Sequence, residues 1–404
     1  MRILMITGHL PYPTNSGYPL RIYNLLYRIA REHEIWLATF IPAGHSATYV
    51  SHLQKFCQGI ETAVFQNERV FDHPFDAMLY FMKGLPPDLR IYKSHELTAK
   101  IRDLINRIDF DIIQIEDSHM GIYLDMMPKE IYPKTLLTFH DVNFRKYDRM
   151  IQVETKNTRK ARIWLHSRMM RRWEPSHAEK FGRCIAMSNS DRCLLQAANP
   201  RLKIDVIPNG VDTNLYQPLP YSENAPALIF VGNMAYRPNI DAVTYFYLSI
   251  YPRIKRELPQ VEFWIVGKNP SSEVIRLSGN GVRVTGQVDD LVPYYRSSAV
   301  SVVPLRAGGG TRLKILEAMA LGRPVVTTLI GCEGLDVING KHLLIGESPD
   351  QFAEHTLQLL RNKQTWLSIT QQARDLVVNR YDWDVIAQSL EHLFEDMQYE
   401  EKNN

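Results

Sequence analysis

Pro304-Leu305-Arg306-Ala307-Gly308-Gly309-Gly310-Thr311-Arg312-Leu313-Lys314-Ile315-Leu316-Glu317 continues an apolar run, Val300–Pro304, and leads into a helix-forming segment predicted over Thr311–Leu321. A strand that enters a glycine turn and then a helix is the place where an open parallel sheet receives an anion. Gly308, Gly309 and Gly310 let backbone N–H groups converge, Thr311 is placed to cap the helix, and Leu313 opens its apolar face. Arg312 and Lys314 add full positive charges in the first turn, where they oppose the helix macrodipole. Such charges cost stability unless a multiply charged anion offsets them, and a diphosphate is the natural ligand. Glu317 stands among Leu316, Ala318, Met319 and Ala320, a carboxylate beside packed surface that needs partners. The vicinal hydroxyls of a sugar would serve. The plain alternative is an i, i+3 ion pair with Lys314 on an exposed face.

Outward from this stretch the same rhythm fills the chain. Arg2–Thr7 ends in a loop rich in glycine and proline (Gly8 to Gly17), then come a helical pattern through Ile22, Leu25, Leu26 and Ile29 and a second run, Ile35–Phe40. Asp111–Ile115, Lys134–Thr138, Cys184–Met187 and Ile204–Ile207 continue the alternation. It restarts at Ala227–Val231, with a helix over Ile240–Ile254, then Val261–Val266, Val282–Thr285 and Pro324–Thr328. Strands alternating with helices predict an α/β architecture of parallel sheets covered on both faces. Pro208–Asp212, followed by Pro218, Pro220 and Pro226, concentrates turn-formers and marks a boundary. The expected domains are therefore 1–207 and 208–378, each Rossmann-like, with a C-terminal helix over 379–404. Its apolar stripe of Trp383, Ile386, Leu390 and Phe394 is expected to pack back towards the first domain.

Composition bounds the function. The 404 residues, 45% hydrophobic and 23% charged, describe an ordinary globular enzyme with core to spare. A net charge of +3 is too mild to make nucleic acid the partner of the whole molecule. Cys57, Cys184, Cys193 and Cys332 form no C-x-x-C pair and read as isolated thiols in a reducing compartment. The first apolar run, Ile3–Ile6, is shorter than a signal-peptide core, and no run is long enough for a membrane helix. The expected location is the cytoplasm.

One local excess of charge exists. Residues 145–183 carry Arg145, Lys146, Arg149, Lys156, Arg159, Lys160, Arg162, Arg168, Arg171, Arg172, Lys180 and Arg183 against only Asp148, Glu154, Glu174 and Glu179. Trp164, Leu165, Met169, Met170 and Trp173 are interleaved with them. This pattern suits a surface resting on anionic lipid at the inner face of the membrane, or one holding an anionic acceptor. A solvated helical hairpin with its apolar residues facing the core fits equally.

The segment Gly308–Ala320 resembles the donor-site motif of glycosyltransferase family 4, the retaining family that includes sucrose synthases and bacterial polysaccharide mannosyltransferases. Its nearest likeness is to the exopolysaccharide subgroup. The opening Ile3–Thr7 with Pro11, Pro13 and Gly17 resembles the family's first strand and glycine loop, Thr138-Phe139-His140-Asp141 its active-site histidine segment, and Val206–Asp212 with Asn209 its hinge signature. Gly286-Gln287-Val288-Asp289-Asp290-Leu291 resembles its nucleobase-side loop. The resemblance implies the GT-B fold, with two parallel sheets facing across a cleft and the last helix crossing back. It also implies sugar transfer from a nucleoside diphosphate sugar to the hydroxyl of a glycan or lipid-linked glycan. His140 would then contact the donor sugar, and Gly17, Asn209, Gly232, Asn233, Val288, Leu291 and Leu313 would belong to the donor site. Glu116 and Asp117, closing the strand before His140, either line the acceptor side with Asp141 or cap the next helix.

There are two departures from the family's pattern. Gly309 stands where the family has a first glutamate, so the donor sugar is not fixed by the likeness. The family's arginine and lysine beyond Phe-Val-Gly are missing from Phe230-Val231-Gly232-Asn233-Met234-Ala235-Tyr236-Arg237. Arg312 and Lys314 are the candidates to replace those charges, with Arg237 a further one. D-x-D triplets at Asp109–Asp111 and Asp382–Asp384 precede a strand and open a helix, so neither is expected to hold a metal, and no cofactor is expected. Rival readings are a catalytically silent nucleotide-sugar-binding subunit and a sugar-nucleotide epimerase or hydrolase on the same fold. A dehydrogenase is disfavoured, since no G-x-G-x-x-G follows either first strand.

Overall fold

In Arg2–Thr7 every side chain except that of Arg2 is buried, as expected of a strand covered on both faces. The computed structural model describes residues 1–403 apart from 43, 45–46, 66–73, 155 and 222–226, so Pro226 of the proline cluster lies outside the described residues. The first seven strands are β1 (Arg2–Thr7), β2 (Glu34–Pro42), β3 (Gly59–Phe65), β4 (Ile112–Glu116), β5 (Thr135–Phe139), β6 (Arg183–Ala186) and β7 (Ile204–Val206). They form one parallel sheet in the order β3-β2-β1-β4-β5-β6-β7. A second parallel sheet contains β8 (Ala227–Val231), β9 (Glu262–Val266), β10 (Val282–Val284), β11 (Ser298–Val303), β12 (Val325–Thr327) and β13 (Leu344–Ile345), ordered β10-β9-β8-β11-β12-β13.

Each sheet winds outward from its first strand and then returns to that strand's other side. The switch points therefore lie between β1 and β4 and between β8 and β11, where doubly wound sheets bind ligands at the carboxyl ends of their strands. The chain divides into two compact units, Met1–Pro208 with Ile386–Asn404, and Asn209–Val385. Of the C-terminal stripe, Trp383, Ile386, Leu390 and Phe394 are all buried. Phe394 meets the His33 ring edge-on, and Arg183 pairs with Glu400 near the chain end. No helix among the described residues is long and apolar enough to cross a membrane.

Three sequence expectations need correction. The helix expected over Ile240–Ile254 is Arg237–Tyr245, a π turn at Phe246–Ile250, and Tyr251–Glu257. Pro252 has no N–H to continue the α ladder and its ring crowds the preceding turn, so the helix widens ahead of it. The glycine-loop helix runs over Leu313–Ala320 rather than from Thr311. The strands β3 and β13 had no counterpart in the reading: β3 is an edge strand with only Ala63 buried, and β13 spans two residues.

Candidate functional site

At the second switch point Gly308 (φ +123°) and Gly310 (φ +71°) take backbone conformations that a side chain would strain. Arg312 folds back over this loop, its Nη1 donating to the carbonyl oxygens of Gly309 and Gly310. These bonds close residues 309–312 into a turn, so Arg312 holds the cap position with no side-chain cap bond and Thr311 is not the cap expected. Leu313 is half-buried against the core.

Lys314 donates to Asn239 Oδ1 at 3.0 Å, and its Nζ lies 3.9 Å from the centroid of the Phe230 ring. A Cβ on Gly232 would stand 2.9 Å from that Nζ and 2.8 Å from Asn239 Nδ2, so glycine is what admits the cation to the end of β8. The loop after β8 offers no such charge. The Asn233 side chain accepts from the N–H of Ala235 and its carbonyl from Asn239, while the Arg237 guanidinium lies exposed on Glu273 at 3.1 Å. Arg237 is thereby drawn into a surface pair, and Lys314 brings positive charge to the β8 exit from the facing helix.

Burial pushes Lys314 down to about 7, reinforced by Arg312 and opposed by Glu317. Burial likewise pushes Glu317 up to about 7 against the attraction of Lys314. The Glu317 side chain makes no hydrogen bond or ion pair among the described residues, so the helical ion pair weighed from the sequence does not form. Val288 and Leu291 are half-buried against the core in the loop that leaves β10, where Gly286 turns at φ +74°. Asn209 opens this unit beside Gly210, where a Cβ would collide with the Trp383 ring at 2.8 Å.

The first switch point is built differently. Parallel register sets Glu116 level with Thr138, two residues before His140. The fully buried Glu116 carboxylate accepts from Gln114 Nε2 at 2.6 Å, Thr138 Oγ1 at 3.3 Å and His140 Nε2 at 2.6 Å. These three bonds take up the Glu116 carboxylate, the helix cap falls to Asp117 instead, and Glu116 orients His140, whose Nδ1 has no partner among the described residues. Tyr18, which the sequence did not single out, accepts from the N–H of Gly8 at 2.9 Å and donates to the Glu116 carbonyl at 3.2 Å. Its ring lies 4.5 Å from that of His140. Gly17 begins the helix Gly17–Ile29, whose cap residue Ser16 makes no side-chain bond to it. Asp117, at φ +82°, caps the 3-10 helix Ser118–Met126, as one sequence alternative had it. Asp141 is half-buried, and burial raises its pKa against the opposing charge of Lys146.

The basic stretch forms a hairpin of two helices, Asn143–Val153 and Asn157–Ala178, with residue 155 outside the described residues. Arg159, Arg162, Arg168, Arg172, Trp164 and Leu165 are exposed, and the Arg168 guanidinium lies over the Trp164 ring. Met170 is buried, and Trp173 stacks on His177 at 4.8 Å, so these two do not belong to the outward face. Arg171 pairs with Asp148 and covers Phe144. Of the D-x-D triplets, Asp109 faces Lys134, Asp111 accepts from the N–H of Arg2, and Asp382 accepts from Thr213 and the N–H of Asp384.

Comparison with known proteins adds the following. Residues 22–215 match the family described as Glycosyltransferase Family 4, and residues 225–362 match Glycosyl transferases group 1. A Klebsiella pneumoniae protein described as an uncharacterized 44.6 kDa protein in the cps region is 22% identical over 397 residues, spanning 94% of this chain and 96% of its own. A phosphatidyl-myo-inositol mannosyltransferase of Mycolicibacterium smegmatis is 24% identical over 307 residues, 73% of this chain and 74% of its own. Among solved structures, Anabaena HepE in complex with UDP superposes with a TM-score of 0.66 at 16% identity, covering 98% of this chain and 100% of that one. At that identity the likeness is one of fold.

Proposed function

The chain belongs to the family 4 type of glycosyltransferases, with the GT-B fold of two parallel-sheet Rossmann-like domains, and from that premise we propose that it transfers a sugar from a nucleoside diphosphate sugar to an acceptor hydroxyl with retention and without a metal. The observation that carries this reading is Lys314, a half-buried ammonium held at the end of β8 by an amide oxygen and an aromatic ring, with no carboxylate among the described residues bonded to it. Together with Arg312 and the amides of Gly308–Thr311, it suits a diphosphate.

In the proposed reaction the bond between the anomeric carbon and the phosphate oxygen breaks, and its electron pair stays on the phosphate. Lys314 and Arg312 stabilise that growing charge. The acceptor oxygen bonds to the anomeric carbon on the same face, and its proton passes to the departing phosphate, so no side-chain nucleophile is required. The carboxylate of Glu317, without a partner among the described residues, takes sugar hydroxyls, and His140 contacts the donor sugar through Nδ1. In this reading Asn209, Val288 and Leu291 serve the nucleoside and Gly17 the phosphates, as the family resemblance implies.

The acceptor is a glycan or lipid-linked glycan. The cps-region relative supports a polysaccharide product, and the mannosyltransferase relative, by its name, a lipid acceptor. The exposed basic face of the hairpin fits the anionic inner leaflet, which gives the protein a cytoplasmic, peripheral location.

The test incubates the protein with UDP- and GDP-linked sugars and a lipid and glycan extract, with and without EDTA, following diphosphate release and the anomeric configuration of the product by NMR. Extract-dependent release that survives EDTA, with configuration retained, is expected. Loss of activity restored by Mg²⁺ or Mn²⁺ contradicts the metal-free mechanism. Binding of nucleotide without turnover on any acceptor indicates a silent subunit, the alternative that Gly309 in place of a glutamate favours.

A further inference from the structure

Next to the His140–Glu116 pair lies a buried polar chain that the sugar chemistry does not use. His119 bonds a carboxylate through each ring nitrogen, Nδ1 to Asp117 Oδ1 at 2.7 Å and Nε2 to Asp88 Oδ2 at 3.0 Å. The same Asp88 oxygen accepts from His166 Nε2 and from the Tyr147 hydroxyl, each at 2.9 Å. Asp88 Oδ1 is buried without a partner among the described residues. Burial disfavours charge on His119, but Asp117 and Asp88 outweigh it and raise the imidazole to about 10, so the central link stays cationic at neutral pH.

The chain joins three parts of the first unit. Asp88 lies in the 3-10 turn Pro87–Tyr92, and Tyr147 and His166 lie one on each helix of the basic hairpin. At the other end Asp117 directly follows Glu116 and keeps a positive φ, held there by the His119 N–H at 2.9 Å and by the His119 ring. A second tether runs alongside: Glu174 of the long hairpin helix accepts from Ser118 Oγ at 2.6 Å and Asn143 Nδ2 at 2.9 Å. Ser118 lies two residues beyond Glu116, and Asn143 three beyond His140. Apolar side chains would hold a hairpin down with less desolvation, whereas directional bonds between charged groups fix position.

We propose that Asp88 and Glu174 are positioning residues that clamp the basic hairpin to the segments carrying Glu116 and His140, so that the hairpin sets the orientation of the His140 ring. The inference rests on the reading of His140 as a ligand-facing group.

The test uses the full chain with histidine labelled at Cε1, the His140 signal being assigned with a His140→Gln variant. Its ring resonance is compared in wild type, Asp88→Asn, Glu174→Gln and the milder His166→Asn, alongside kcat for donor turnover and the dissociation constant for UDP or GDP. The expected result is a displaced His140 resonance in each variant and a kcat lowered roughly 3- to 30-fold, with nucleotide affinity unchanged. If Asp88→Asn does not fold, His166→Asn, which removes one donor to the clamp and leaves both carboxylates, decides the matter. An unmoved His140 resonance with kcat within about twofold of wild type in the folded variants overturns the proposal. A wild type that turns over no donor is a failure of the glycosyl-transfer reading instead, and the resonance comparison still decides the clamp.

Discussion

At the β1/β4 exit the buried carboxylate of Glu116 accepts from Gln114, Thr138 and His140; at the β8/β11 exit the Glu317 side chain has no such partner among the described residues and Lys314 rests on an amide oxygen and a ring. The first arrangement makes one imidazole rigid and leaves it a single nitrogen to use. The second buries a carboxyl and an amine on one helix so that each titrates at about 7, at a cost a charged ligand can relieve. The difference separates two jobs that a transferase must do: orientation, which a satisfied network performs, and charge binding, which requires unsatisfied groups. Variants at the second exit should therefore change nucleotide affinity, and variants at the first should change turnover while affinity stays put.

The largest effect is expected from Lys314→Met, which removes the cation at the β8 exit and should lower turnover by about 10²–10³ while weakening UDP or GDP binding. Glu116→Gln replaces the anion that holds His140 and should lower kcat by roughly 10- to 100-fold with nucleotide affinity unchanged in calorimetry. If it weakens nucleotide binding as much as Lys314→Met does, the division of labour is wrong. Glu317→Gln keeps one hydroxyl contact but loses its charge, and should weaken nucleotide-sugar binding by about tenfold with the bare diphosphate little affected. Equal affinity for the sugar nucleotide would remove Glu317 from the sugar site.

A separate effect concerns the hairpin. With Arg162, Arg168 and Arg172 changed to Glu, co-sedimentation with anionic vesicles should fall by about 1 kcal/mol per basic residue lost and be salt-sensitive, while nucleotide binding is untouched. A wild type that ignores anionic vesicles at low salt ends the membrane reading.

The last effect is on stability against pH. Glu317 titrates at about 7 instead of 4.5, so between these values the folded chain binds more protons than the unfolded one, and stability falls as pH rises. Lys314 titrates at about 7 instead of 10.5, so above 7 the unfolded chain binds more, and stability rises with pH. Together they predict a minimum in Tm near pH 7 for the unliganded protein. Glu317→Gln should erase the falling limb and Lys314→Met the rising one.

Much of this was legible in the sequence, for identifiable reasons. Central strands such as Ala227–Val231 are buried on both faces and so read as unbroken apolar runs. The opposition of Arg312 and Lys314 to the helix dipole was visible as local charge against local geometry. The role of Glu116 was not, because its bond to His140 depends on the register between β4 and β5, which periodicity does not encode. The His119 chain was out of reach for a similar reason: its bond to Asp88 joins positions 31 apart, and the bond of His166 to Asp88 spans 78. Tyr18 left no signal beyond an aromatic just past the loop of glycines and prolines.

Titration calorimetry of UDP and GDP against wild type and Lys314→Met at pH 8, in two buffers of different ionisation enthalpy, tests the central claim most directly. At that pH a lysine titrating at about 7 is mostly neutral in the free protein, and a diphosphate beside it should recharge it. Wild type should bind at least one of the two nucleotides with uptake approaching about one proton, and Lys314→Met should bind weakly with none. Binding to wild type without proton uptake, or equally tight binding by the variant, would contradict a diphosphate site at Lys314.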